Sequence, residues 1–101
     1  MMAQFSILPL GKGTSIRKEV AQAVGEVESS GLSYRLTAMG TIVEGDWDAV
    51  FALLKKIRDR VLAGSDRLYM TVSIDERKDK SVTIESKVQA VESVLGKRSR
   101  T

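Results

Sequence analysis

Three features of the sequence predict an α+β fold. Apolar residues alternate with period two in four short runs, and they recur at helical spacing in three longer ones. The two kinds of run follow each other in the order β-α-β-β-α-β-α. The first six elements make the split β-α-β, or ferredoxin-like, arrangement βαββαβ, in which right-handed crossovers lay two helices on one face of a four-stranded antiparallel sheet. The seventh element is an additional C-terminal helix whose docking position the sequence leaves open.

Residues 2–9, MAQFSILP, alternate Ala3, Phe5 and Ile7 with Gln4, Ser6 and Leu8. Pro9 and the glycines at 11 and 13 are expected to end this strand. Thr14 or Ser15 can cap the first helix, whose stripe is Ile16, Val20, Ala23, Val24 and Val27, and Gly31 suits the residue after its end. Leu32, Tyr34, Leu36 and Ala38 then alternate with Ser33, Arg35 and Thr37. A turn at Met39-Gly40 leads into a second β-rich run from Thr41 to Glu44, which reads as a hairpin. Asp46 can cap the second helix, with Trp47, Val50, Phe51, Leu54, Ile57, Val61 and Leu62 as its stripe and Gly64 at its end. Leu68, Met70, Val72 and Ile74 alternate with Tyr69, Thr71 and Ser73 in the last strand. After a charged loop at 76–80, Ile84, Val88, Val91, Val94 and Leu95 define the final helix, closed by Gly96. Residues 1–96 thus read as a single domain and residues 97–101, KRSRT, as a basic, disordered tail.

Composition narrows the function classes. At 101 residues, 43% hydrophobic and 29% charged, the chain can bury one core. The net charge is +3, and KRSR alone carries three positive charges, so the body lacks the basic face expected for nucleic-acid binding. Cysteine and histidine are absent, which excludes disulfides, thiolate or imidazole zinc sites and nucleophilic triads. No apolar run approaches the roughly 20 residues needed to span a bilayer. No basic segment precedes the short apolar stretch at the N-terminus. A cytoplasmic protein without membrane or nucleic-acid partners is expected.

Assigning the more apolar side of each strand to the helices places Phe5, Ile7, Leu36, Ala38, Ile42, Leu68, Met70, Val72 and Ile74 in the core. The helix-free face is then Gln4, Ser6, Leu8, Arg35, Thr37, Met39, Thr41, Val43, Tyr69, Thr71 and Ser73. It carries one cation, no acid, and short hydroxyls set between apolar groups. That mixture suits burial with hydrogen-bonding partners, either against another subunit or around a small molecule. β-propensity alone also enriches threonine on strands. LGKGTS, residues 10–15, lacks the glycine spacing of a phosphate-binding loop and offers at most a weak anion site beside Lys12. An RNA-reading sheet would want several aromatics on the open face, and only Tyr69 stands there.

Three stretches carry a resemblance. FSILPLGKGTS, YRLTAMGTIVEGDWDAVF and DERKDKSVTIESKVQAVE resemble the small thiamine-binding protein family. The shared pattern is Pro9-Leu10-Gly11, then Tyr34, Leu36, Thr37, Met39, Gly40, Thr41, Val43, Glu44 and Gly45, then Asp75, Arg77, Asp79 and Lys80. It runs from residue 2 to about residue 96 in order. The resemblance implies a ferredoxin-like fold, homodimers and homotetramers assembled through sheet faces, and non-catalytic binding of thiamine or its hydroxymethylpyrimidine moiety. No cofactor or metal is expected, since Asp75 and Asp79 in the charged loop are too few for a hard cation that wants about six oxygens. The residue chemistry accommodates such a ligand. Met39, Leu8 and Val43 can cover a flat ring. Ser6, Thr37, Thr41 and Thr71 can bond its edge. Glu44 can balance a thiazolium charge or bond the pyrimidine, and Tyr69 can stack. The alternatives are a purely structural or regulatory homo-oligomer without a small ligand, and an enzyme of thiamine-precursor metabolism.

Overall fold

The computed structural model describes residues 1–10 and 17–98. Its elements are β1 (Met2–Leu10), α1 (Arg17–Ser29), β2 (Ser33–Thr37), β3 (Gly40–Glu44), α2 (Trp47–Leu62), β4 (Arg67–Asp75) and α3 (Ile84–Leu95). The strands form one sheet in the order β2-β3-β1-β4 with every neighbouring pair antiparallel. This is the ferredoxin-like α+β arrangement with an added C-terminal helix. The expected caps Thr14 and Ser15, the stripe residue Ile16 and the loop around Lys12 lie outside the described residues.

The core lies between the sheet and the two crossover helices. Ala3 and Phe5 of β1 and Val43 of β3 meet Ala23 and Val27 of α1 and Val50, Leu53, Leu54, Ile57 and Val61 of α2. Asp46 caps α2 by accepting from the Ala49 N–H at 2.7 Å, which satisfies one of the orphan donors of the first turn. The buried stripe of α2 is rotated toward Leu53, which the sequence pattern omitted. Trp47 and Phe51 are left on its flank, exposed and packed on each other with ring centroids 4.5 Å apart.

The hairpin corrects two expectations. Its turn residues are Ala38 and Met39, one position earlier than expected, with Thr37 paired to Gly40. No residue other than glycine takes a positive φ among the described residues, so the turn does not use the left-handed conformations that commonly favour hairpins. The Thr37 side chain holds it instead. Its hydroxyl donates to the Gly40 carbonyl at 2.7 Å and accepts from the Met39 and Gly40 N–H groups, each at 3.2 Å. The second correction is the face of β3. Tyr34 pairs with Val43 and Leu36 with Thr41, while Val43 and Thr41 also pair with Ala3 and Phe5. Directly opposed residues share a face. Thr41 and Val43 therefore face the helices, at 6% and 0% exposure, and Ile42 faces the other way.

β1 is longer than its neighbour. It pairs with β4 from Met2 to Leu10 but with β3 only from Met2 to Phe5. Ser6–Leu10 therefore has a strand partner on one side only. Pro9 sits in this extension and does not end the strand, because a proline is tolerated where a ladder side is open.

α3 begins at the opposite end of the sheet. Thr83 and Ser86 form a reciprocal capping box, and the Ile84 N–H donates to Glu44 Oε1. A Lys87–Asp75 ion pair adds a second tie, and Val82 and Ile84 are buried. Farther along the helix Val91, Val94 and Leu95 are exposed. Gly96, at φ 72°, ends the helix in the left-handed conformation that glycine adopts without a Cβ penalty.

Candidate functional site

Because β3 stops short of the end of β1, the sheet has a notch. One wall is β1 at Phe5, Ser6 and Ile7. The other is the hairpin tip, from Leu36 to Thr41. Val20, Ala23 and Val24 of α1 close it from the helix side. The cavity measures about 260 Å³, the scale of a single-ring molecule and just below the usual range for drug-sized ligands. The hairpin reaches β1 so closely that a Cβ on Gly40 would lie 2.7 Å from the Phe5 carbonyl oxygen. Glycine is what lets the two walls meet at the notch's inner end.

The lining is apolar with hydroxyls. Phe5, Ile7, Val20, Val24, Leu36 and Met39 supply the apolar surface, and Met39 is 81% exposed at the rim. Thr41 lines the notch as a buried residue, and among the described residues its hydroxyl has no hydrogen-bond partner. A hydroxyl on the cavity wall with no protein partner can donate to or accept from a polar group that enters the notch. No described residue lining the notch is titratable. Tyr34 and Asp59 are displaced from their ordinary titration range, and neither lines it. Tyr34 is raised by its hydrogen bond to the Glu28 carboxylate, and Asp59 is lowered first by the hydrogen bond from Lys55.

The nine candidate residues from the sequence are distributed over four places. Ser6, Thr37, Met39 and Thr41 border the notch. The Thr37 hydroxyl, with one hydrogen donated and two bonds accepted, has its full capacity engaged in the turn. Leu8, Tyr69 and Thr71 lie on the helix-free face along the β1–β4 ribbon, where Leu8 pairs with Tyr69 and Ser6 with Thr71. Leu8 and Tyr69 are 45% and 60% exposed. Val43 is wholly buried in the core beneath the helices, so no ligand can touch its side chain; this corrects its placement on the open face. Glu44 lies three residues beyond Thr41, roughly 10 Å at the rise of a strand. Its carboxylate holds the first N–H of α3 rather than facing the notch. The sequence reading missed Phe5, Ile7, Val20, Val24 and Leu36 as lining residues. The unequal lengths of β1 and β3 were the signal that could have found them.

A second, shallower trough of about 500 Å³ runs between α2 and the edge strand β4. It is lined by Phe51, Leu54, Lys55, Arg58, Leu62, Leu68, Met70 and Val72. It offers no hydroxyl, and its two cations both pair with Asp59. That lining suits apolar contact better than recognition of a polar ring edge.

Fold and notch together define a small α+β domain with an apolar, hydroxyl-edged cavity at the broken side of its sheet. The chain belongs to the thiamine-binding protein family, whose sequence profile matches residues 3–92. It is 42% identical over 91 residues to the UPF0045 protein MJ1052 of Methanocaldococcus jannaschii, covering 90% of this chain and 91% of that one. The crystal structure of MJ1052 superposes with a TM-score of 0.84 over 89% of this chain and 93% of that chain. A Bacillus cereus domain of unknown function, DUF77, is 30% identical, with a TM-score of 0.79 over 86% of this chain and 85% of its own. A Thermotoga maritima protein, named as a candidate in thiamine biosynthesis or salvage, shares the fold at 20% identity and a TM-score of 0.80, over 89% of this chain and 96% of that one.

Proposed function

We propose that the protein is a non-catalytic binding protein for thiamine or its hydroxymethylpyrimidine moiety, and that the pyrimidine ring sits in the notch between β1 and the β2–β3 hairpin. The observation that carries this reading is the lining of the notch, in a chain of the thiamine-binding family. Among the described residues it pairs ring-sized apolar walls with the unpartnered hydroxyl of a buried threonine and no charge. A neutral aminopyrimidine matches such a cavity. The thiazolium cation does not, so it extends past Met39 toward solvent. The described lining residues include no titratable group that could serve as general acid or base, which favours binding over turnover. The helix-free face, with Leu8 and Tyr69 exposed side by side, is the surface through which subunits pack into dimers and tetramers. Among the described residues no helix is long and apolar enough to cross a membrane.

Isothermal titration tests the reading. Thiamine is expected to bind saturably near micromolar, about −8 kcal/mol. Hydroxymethylpyrimidine should retain most of that affinity, and the diphosphate should gain nothing over thiamine. All three ligands should be recovered unchanged after incubation. No heat with any of them, from folded protein, would overturn the proposal. Sedimentation of a Tyr69→Lys variant, expected to shift to smaller species, checks the subunit surface separately.

A further inference from the structure

In an extended strand the N–H and C=O of one residue point to the same side, and successive residues alternate sides. Two contacts fix the sides for β1. The Gly45 N–H donates to the Met1 carbonyl at 3.0 Å, and the Phe5 carbonyl oxygen is the atom that a Cβ on Gly40 would strike. The main-chain groups of residues 1, 3 and 5 therefore turn toward β3, and those of the even residues toward β4. Ile7 is next in the series. The β3 ladder ends at the Phe5–Thr41 pair because the chain turns at Ala38 and Met39. Pro9, the next residue on that side, has no N–H at all. Ile7 thus carries the only main-chain N–H that the extension of β1 presents to the notch. Among the described residues neither its N–H nor its C=O has a backbone partner on that side. Ile7 and Thr41 are both lining residues of the cavity.

We propose that this main-chain pair reads the ligand: the Ile7 N–H donates to a ring nitrogen, and the Ile7 carbonyl accepts from an exocyclic amine beside it. The class so recognised is a flat heterocycle with an amino donor adjacent to a ring acceptor, the edge that an aminopyrimidine carries. This rests on the function proposed above and names the atoms that give it specificity. A ring that satisfies both groups replaces the missing strand by one residue's worth of pairing. The free edge, one residue long and followed by a proline, is too short for an added peptide strand. The cost of leaving a polar group unpaired in a closed site makes such a pair selective against an analogue that lacks the amine.

The test uses the full chain and two probes, hydroxymethylpyrimidine and the same pyrimidine without its amino group. Saturation with the first is expected to slow hydrogen exchange of the Ile7 amide at least tenfold. The amine-free analogue should bind at least tenfold more weakly. Ile7→Pro, which removes the N–H where Pro9 shows that a proline is accommodated, should lose tenfold or more in affinity. Ile7→Val, which keeps the N–H, should stay within twofold of the parent. If hydroxymethylpyrimidine binds but Ile7 exchange is unchanged and both probes bind alike, this inference fails while the proposed function stands. If neither hydroxymethylpyrimidine nor thiamine binds, both fail. The exchange measurement is made on the unaltered protein, so it decides the matter whether or not the proline variant folds.

Discussion

Gly40→Ala tests the geometry that creates the notch. The added methyl would stand 2.7 Å from the Phe5 carbonyl oxygen and 3.4 Å from its carbon. These are backbone atoms at the end of the β1–β3 ladder and cannot swing aside as a flexible side chain can. The hairpin must retreat by more than half an ångström, on the order of the overlap with a normal contact near 3.5 Å. That retreat stretches the last ladder pair, Phe5–Thr41. Overpacking of this kind costs about 1–3 kcal/mol. The stiffer unfolded chain of an alanine variant returns about 0.4–1 kcal/mol. The expected net effect is a loss of about 1–2 kcal/mol in urea unfolding, together with weakened ligand binding. Gly25→Ala is the matched control, because nothing lies within 4 Å of a Cβ in the middle of α1. There the same substitution should stabilise by roughly 0.5–1 kcal/mol. If Gly40→Ala proved as stable as the parent, the close approach of hairpin and β1 would be refuted.

Two further substitutions separate the roles of residues that the sequence placed together. Thr37→Val removes a hydroxyl that makes three bonds within the turn, so unfolding should become easier by about 1–2 kcal/mol. Thr37→Ser should restore most of it; equal stability of the valine variant and the parent would contradict the assigned role. Glu44→Ala removes the acceptor for the first N–H of α3. Amides of α3 should exchange faster, by the equivalent of about 1–2 kcal/mol, while those of α2 stay protected and thiamine affinity is unchanged. A drop in affinity with α3 intact would return Glu44 to the ligand site.

Much of the fold was legible because its signals are periodic. Seven elements, their order and the sheet follow from stripes such as Val50-Leu54-Ile57-Val61 and alternations such as Leu68-Met70-Val72. What misled was hydrophobicity used one residue at a time. In β3 isoleucine was set inward over threonine, although pairing arithmetic across a two-residue turn places Thr41 opposite Leu36 and Val43 opposite Tyr34. The buried face then looks less apolar than it is, because Thr41 borders a cavity rather than a solid core. Ser6, Met39 and Thr41 were found by assigning strand residues to the helix-free face, although Thr41 faces the helices and reaches the notch from that side. The apolar walls from α1, and the open edge at Ile7, were not legible as site residues. They arise from where one strand ends beside another, and no single residue type marks that place. Glu44 fell to a partner forty positions away, Ile84, that no local pattern connects to it.

The most direct test of the notch as the ligand site is titration of Thr41→Val with thiamine. The substitution preserves shape and removes a hydroxyl that has no partner among the described residues. Stability in urea should therefore be unchanged or slightly higher, while the affinity for thiamine and hydroxymethylpyrimidine falls by roughly 1 kcal/mol or more, fivefold to tenfold. Unchanged affinity in a stably folded Thr41→Val protein would contradict the account and move the ligand out of the notch.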